Sequence, residues 1–139
     1  MDDSGSKLGL LKVYRPYFRG EGWRLGTLSL SSFLAGMTEA AFLKQVCAVA
    51  KLRGWLIYHA KPSQVGERWA THFQGDAGFP DLVMVSPTGG LVFAELKVGR
   101  NKQSDAQLRW QRYLLEADYE CYCWYPKDLD AIIERLSDI

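Results

Sequence analysis

Three ionisable side chains stand in the stretch from Gly78 to Lys97, GFPDLVMVSPTGGLVFAELK: Asp81, Glu95 and Lys97. Two carboxylates and a lysine gathered on a buried sheet are costly to desolvate unless something balances them. A divalent cation and a phosphate would do so, which is the chemistry of metal-dependent phosphodiester hydrolysis. Oxygen ligands of this kind suit a hard cation such as Mg²⁺, with Mn²⁺ as a substitute. Such an ion polarises a phosphoryl oxygen and lowers the pKa of an attacking water. A lysine beside it holds that water or steadies charge on the phosphorane.

The elements that must position these groups are legible. Leu82–Val85 and Leu91–Ala94 are apolar throughout, as expected for strands buried on both faces. Ser86-Pro87-Thr88-Gly89-Gly90 between them is rich in turn formers. Side chains alternate along a strand, so Glu95 and Lys97 share a face. If the five turn residues form the loop and Val85 pairs with Leu91, Asp81 lies opposite Glu95. Directly opposed Cβ atoms are about 4.5–5.5 Å apart. A one-residue slip would send Asp81 to the other face. Asp, a gap, then Glu-x-Lys also arises by chance, and a solvated pair on an edge strand is the alternative. The flanking apolar runs speak against an edge.

Around this hairpin, Thr38 is an N-cap for a helix from Glu39 to about Arg53, closed by Gly54. Phe42, Leu43, Val46, Val49 and Ala50 form its core stripe. Trp55–Ala60 reads as a first strand. Lys61–Phe79 reads as a long polar loop leading into Asp81, and loops of that length are often functional. Ser104 caps a helix to about Ala117, with Gln107, Trp110, Gln111 and Leu114 on one face. Tyr119–Tyr125 is a fourth strand, and Pro126 opens a last helix. Cys121 and Cys123 lack two further zinc ligands nearby and read as core.

From Met37 onward the chain resembles the VRR-Nuc (virus-type replication-repair nuclease) family of the PD-(D/E)xK nuclease superfamily. The matching elements are Thr38-Glu39 at a helix start, a strand ending at His59, Gly78-Phe79-Pro80-Asp81, Glu95-Leu96-Lys97, and Ser104-Asp105-Ala106-Gln107 at a second helix start. The resemblance implies a restriction-endonuclease-like α/β core, a mixed β-sheet flanked by helices. It implies that Asp81, Glu95 and the Leu96 carbonyl bind metal and that Lys97 is catalytic. Glu39 would complete the acidic site, through a water or a second metal. Gln107 would orient the lysine or touch substrate. Small stand-alone members of the family are homodimers that cut branched DNA such as four-way (Holliday) junctions, so DNA and a second copy are the expected partners.

The remaining features bound this expectation. A 139-residue chain with 47% hydrophobic and 24% charged residues makes one modest domain. We expect an N-terminal extension over residues 1–36, a hairpin or a poorly ordered arm, and a nuclease domain over 37–139. No run suits a membrane span, and three cysteines make no disulfide framework, which fits a reducing cytoplasm; the resemblance leans toward a bacterial or phage source. The net charge of +1 does not announce nucleic-acid binding. Yet Lys97, Arg100, Lys102, Arg109 and Arg112 face only Asp105 between positions 97 and 112. Arg100, Lys102 and Arg109 are therefore candidates for the DNA backbone. His59 and His72 are weaker candidates for substrate contact, histidines at strand ends being more often structural. Two alternatives remain: a nonspecific or nicking nuclease on duplex DNA, and a module of the same fold that binds DNA structure without cutting.

Overall fold

The computed structural model describes residues 34, 36–61, 63–70 and 72–138. The expected N-terminal extension therefore lies outside the described residues, apart from positions 34 and 36. Helix α1 (Glu39–Leu52) leads to strand β1 (Leu56–His59), a small ribbon of β2 (Ser63–Val65) and β3 (Arg68–Ala70), and the hairpin β4 (Leu82–Val85) and β5 (Leu91–Leu96). Helix α2 (Asp105–Glu116), strand β6 (Glu120–Trp124), a single 3₁₀ turn and helix α3 (Leu129–Ser137) complete the chain.

The main sheet has the order β1-β4-β5-β6. Strands β1, β4 and β5 are antiparallel neighbours, while β6 lies parallel to β5. A parallel return needs a crossover, and α2 provides it. The fold is thus a mixed sheet with helices on both faces, the restriction-endonuclease-like α/β arrangement.

One face carries the core. Leu82, Met84, Val92, Ala94, Leu96 and Trp124 meet Phe42, Val46 and Val49 of α1 and Leu129, Ile132 and Leu136 of α3. Each such fully buried side chain contributes about 1.5–3 kcal/mol of hydrophobic stabilisation before entropy is counted. Helix α1 begins as its sequence dictates: the Thr38 hydroxyl accepts the Ala41 N–H at 3.2 Å. It ends at Gly54, whose φ of +81° suits a residue without Cβ. Trp55 then closes the layer, its indole N–H donating to the Leu136 carbonyl at 2.8 Å.

Two expectations need correction. Strand β4 is not buried on both faces: Leu82 and Met84 are fully covered, whereas Val85 is 40% exposed. The reason is that α2 packs near β5 and β6 and leaves the β1 side of its face open, where Leu56 and Tyr58 are also exposed. The polar stretch 61–79 is not wholly loop, since β2 and β3 pair within it. Val65 opposite Arg68 leaves a two-residue turn, and Gly66, at φ +65°, takes the position such a turn reserves for glycine.

Candidate active site

The pairing of β4 with β5 runs from Val85↔Leu91 to Leu82↔Ala94. One step further along the same register sets Asp81 against Glu95. The Asp81 Oδ2 accepts the Leu96 backbone N–H at 2.9 Å, which ties the aspartate to the adjoining strand. Glu95 is 3% exposed. Its Oε1 accepts a hydrogen bond from Gln107 Nε2 at 2.6 Å and lies 3.4 Å from Lys97 Nζ. Its Oε2 is buried with no hydrogen-bond partner. Burial, and then the neighbouring Asp81 charge, push the Glu95 carboxyl up to about 7, with Lys97 pulling the other way.

The supporting contacts are local and specific. Gln107 is the third residue of a capping box: its N–H donates to Ser104 Oγ at 3.2 Å, and its Oε1 accepts the Ser104 N–H at 2.8 Å. With Oε1 committed to the cap, the amide nitrogen is the end left to reach Glu95. His59 Nδ1 lies 2.8 Å from the Asp81 carbonyl oxygen and so fixes the backbone just where β4 begins. Gly78 explains the glycine three residues before the aspartate. A Cβ there would sit 2.4 Å from the Ala106 carbonyl carbon and 2.7 Å from Gln107 N, and its φ is +96°. The chain can therefore press directly on the first turn of α2. Phe79 continues that contact, with its ring edge-on to Trp110 at 5.0 Å and to Phe93 at 6.0 Å.

The fold thus brings together Asp81, Glu95, Lys97 and Gln107, with His59 behind Asp81. The other candidates make none of the hydrogen bonds or ion pairs of this cluster. Glu39 is exposed in the first turn of α1, and its carboxylate enters none of the hydrogen bonds or ion pairs of the cluster. His72 is exposed in the segment after β3. Arg100 and Lys102 are exposed in the turn that follows β5. Arg109 is engaged on α2, 3.8 Å from Asp76 and over the Tyr113 ring. Cys121 is buried, and Cys123 pairs in register with Glu95, half-buried. The structural work of Gly78 and the amide orientation of Gln107 escape sequence reasoning. A glycine leading into Phe-Pro-Asp was the available signal for the first, and Ser-x-x-Gln for the second. Gln45, also unanticipated, is buried in α1 with its Oε1 unpartnered.

Among the described residues no group of three or more His, Cys, Asp or Glu side chains converges on a metal position. The free oxygens are one on Asp81 and the unpartnered Oε2 of Glu95. Two carboxylates fit Mg²⁺, which is usually held by one or two carboxylates and keeps several waters. Among the described residues no helix is long and apolar enough to cross a membrane.

Comparison with known proteins bears on the fold. A solved structure described as a VRR_NUC domain superposes with a TM-score of 0.56 at 22% sequence identity, covering 69% of this chain and 94% of that one. About two thirds of this chain therefore shares the architecture of nearly all of that domain. No protein-family model and no curated protein sequence matches the chain.

Proposed function

We propose that this protein is a metal-dependent DNA endonuclease of the VRR-Nuc type, selective for branched DNA such as four-way junctions. The observation that carries the reading is the buried Glu95 carboxylate, held by Gln107 and Lys97 with one oxygen unpartnered and Asp81 across the hairpin. Most buried carboxylate oxygens have a hydrogen-bond partner, so the free Oε2 beside Asp81 leaves a position for a cation. The fold shared with a VRR_NUC domain supports the same reading.

In this scheme Asp81, Glu95 and the Leu96 carbonyl would hold Mg²⁺, or Mn²⁺ in its place, which would supply Lewis-acid polarisation of the phosphoryl group and acidify a water. Lys97 orients the attacking water and offsets charge developing on phosphorus. Gln107 keeps Glu95 turned toward the metal position, and Arg100 and Lys102 bind the flanking phosphates. The protein works as a homodimer, because a four-way junction offers two equivalent cuts that two-fold symmetry matches.

The test is cleavage of a labelled four-way junction beside linear duplex, single strand and flap, in Mg²⁺, in Mn²⁺ and in EDTA. Paired symmetric cuts that need metal are expected. Lys97→Ala is expected to lower cleavage by about a hundredfold or more while junction binding persists. Equal cutting of every DNA would refute junction selectivity. Tight binding without cutting would establish a binding module instead.

A further inference from the structure

The segment between Lys97 and the Ser104 cap carries Arg100 and Lys102, and its placement depends on a distant side chain. Lys97 N–H donates to the Trp124 carbonyl at 2.9 Å, one residue past the end of β5. Val98 is partly buried against the core. Gly99, at φ +58°, then reverses the chain, and Asn101 N–H closes the turn on the Val98 carbonyl at 3.2 Å. Arg100, Asn101 and Lys102 are all exposed. Nothing in this short, glycine-bearing turn would by itself hold its outer corner still.

Tyr125 does so from the other side. Its hydroxyl donates to the Asn101 carbonyl oxygen at 2.7 Å, across 24 residues of sequence. Tyr125 is itself firmly held. Its N–H donates to Asp128 Oδ2 at 2.8 Å, and its carbonyl accepts the Asp128 N–H at 2.8 Å. Buried Pro126 and Trp124 flank it. Lys127 places its ammonium 5.5 Å over the Tyr125 ring, which brings one more cation to the same neighbourhood.

Resting on the nuclease reading, we propose that Tyr125 is a positioning residue for substrate. Its hydroxyl pre-sets the Val98–Lys102 turn so that Arg100 and Lys102 meet the DNA backbone beside the scissile phosphate. Pre-organised cations bind without the ordering cost that a loose turn would incur on association. The hydroxyl is committed to the Asn101 carbonyl, so its loss acts on binding rather than on the chemical step.

The experiment compares wild type, Tyr125→Phe, the Arg100→Ala/Lys102→Ala double variant and the triple variant, all as full chains on the four-way junction. Tyr125→Phe keeps the ring and Lys127 contact and removes the hydroxyl, with its bond to the Asn101 carbonyl and its contact with Cys123. It is expected to raise KM and Kd about three- to tenfold, in line with one lost hydrogen bond, with kcat within about twofold. The slope of log affinity against log salt is expected to fall by roughly one to two, the signature of one or two lost phosphate contacts. In the Arg100→Ala/Lys102→Ala background, Tyr125→Phe is expected to change nothing further. Additive effects in the triple variant, or a fall in kcat with KM unmoved, would overturn the proposal. So would a lower melting temperature with DNA affinity untouched, which would mark a merely structural bond. If wild type itself fails to bind DNA, the nuclease reading fails with it. If wild type binds and cuts while Tyr125→Phe is indistinguishable from it, this proposal fails alone.

Discussion

Replacing Glu95 by glutamine should make the metal-free protein more stable while abolishing its activity. Burial and the Asp81 charge raise the Glu95 carboxyl from the ordinary 4.5 to about 7. At about 1.4 kcal/mol for each pH unit, ionising it in the folded state costs about 3 kcal/mol. A folded pKa above the unfolded one means that the native state binds the extra proton between these values. Wild-type stability therefore falls as pH rises from about 4.5 to about 7 and is level above. Glutamine never ionises and so escapes this cost, can still accept from Gln107, and has an amide that can face Asp81. The attraction of Lys97 already lowers that pKa, so most of the lost ion pair is contained in the same figure. A net gain of about 2–3 kcal/mol at pH 8 follows, or roughly 6–15 °C in melting temperature for a domain of this size. The assay is thermal unfolding in EDTA, from pH 4 to pH 8.5, on both proteins. Their difference should be near zero or slightly unfavourable to glutamine at pH 4 and grow to a plateau above pH 7. Adding Mg²⁺ should then raise wild type, by about 2.7 kcal/mol at a hundred times its Kd, and leave Glu95→Gln unmoved. A glutamine variant less stable than wild type at pH 8 in EDTA, or a difference that ignores pH, would refute the argument that Glu95 is held at an electrostatic cost.

Two further outcomes follow from the geometry. Gly78→Ala sets a methyl 2.4 Å from the α2 backbone at a φ of +96°, so it should destabilise by at least about 2 kcal/mol in urea titrations. Because the displaced backbone belongs to Ala106 and Gln107, cleavage measured well below the melting temperature should also fall, about tenfold or more; full activity there would show that the contact does not position Gln107. His59→Ala removes the bond to the Asp81 carbonyl and should cost about 1 kcal/mol of stability. Its kcat should fall with Kd for DNA near wild type; a rise in Kd alone would return His59 to the role of substrate contact.

The hairpin could be read from sequence because two independent signals agreed. Apolar runs fixed the strands, five turn formers fixed the loop, and together they left one register that puts Asp81 against Glu95. Both long helices were equally readable from their caps, Thr38 and Ser104. The ribbon 63–70 was not, since three-residue strands such as Arg68-Trp69-Ala70 are too short to show a period. The half-open sheet face was missed for a different reason. Whether Val85 is covered depends on where α2 crosses, and an apolar run looks the same under a helix or beside one. For Glu39 the sequence offered the resemblance and a place at the edge of the α1 stripe, and spacing along α1 says nothing of its distance from β5.

Asp81, Glu95, Lys97 and Gln107 come from one uninterrupted run of chain, the hairpin β4–β5 and the first turn of α2. The chemistry is thus contiguous, and the remaining elements serve it as a platform. Substitutions in α1, α3 or β1 reach the reacting groups only by loosening that platform, so their losses of activity should follow their losses of melting temperature. His59 and Tyr125 each reach from that platform into the run by a side-chain hydrogen bond to its backbone, and there activity and stability come apart.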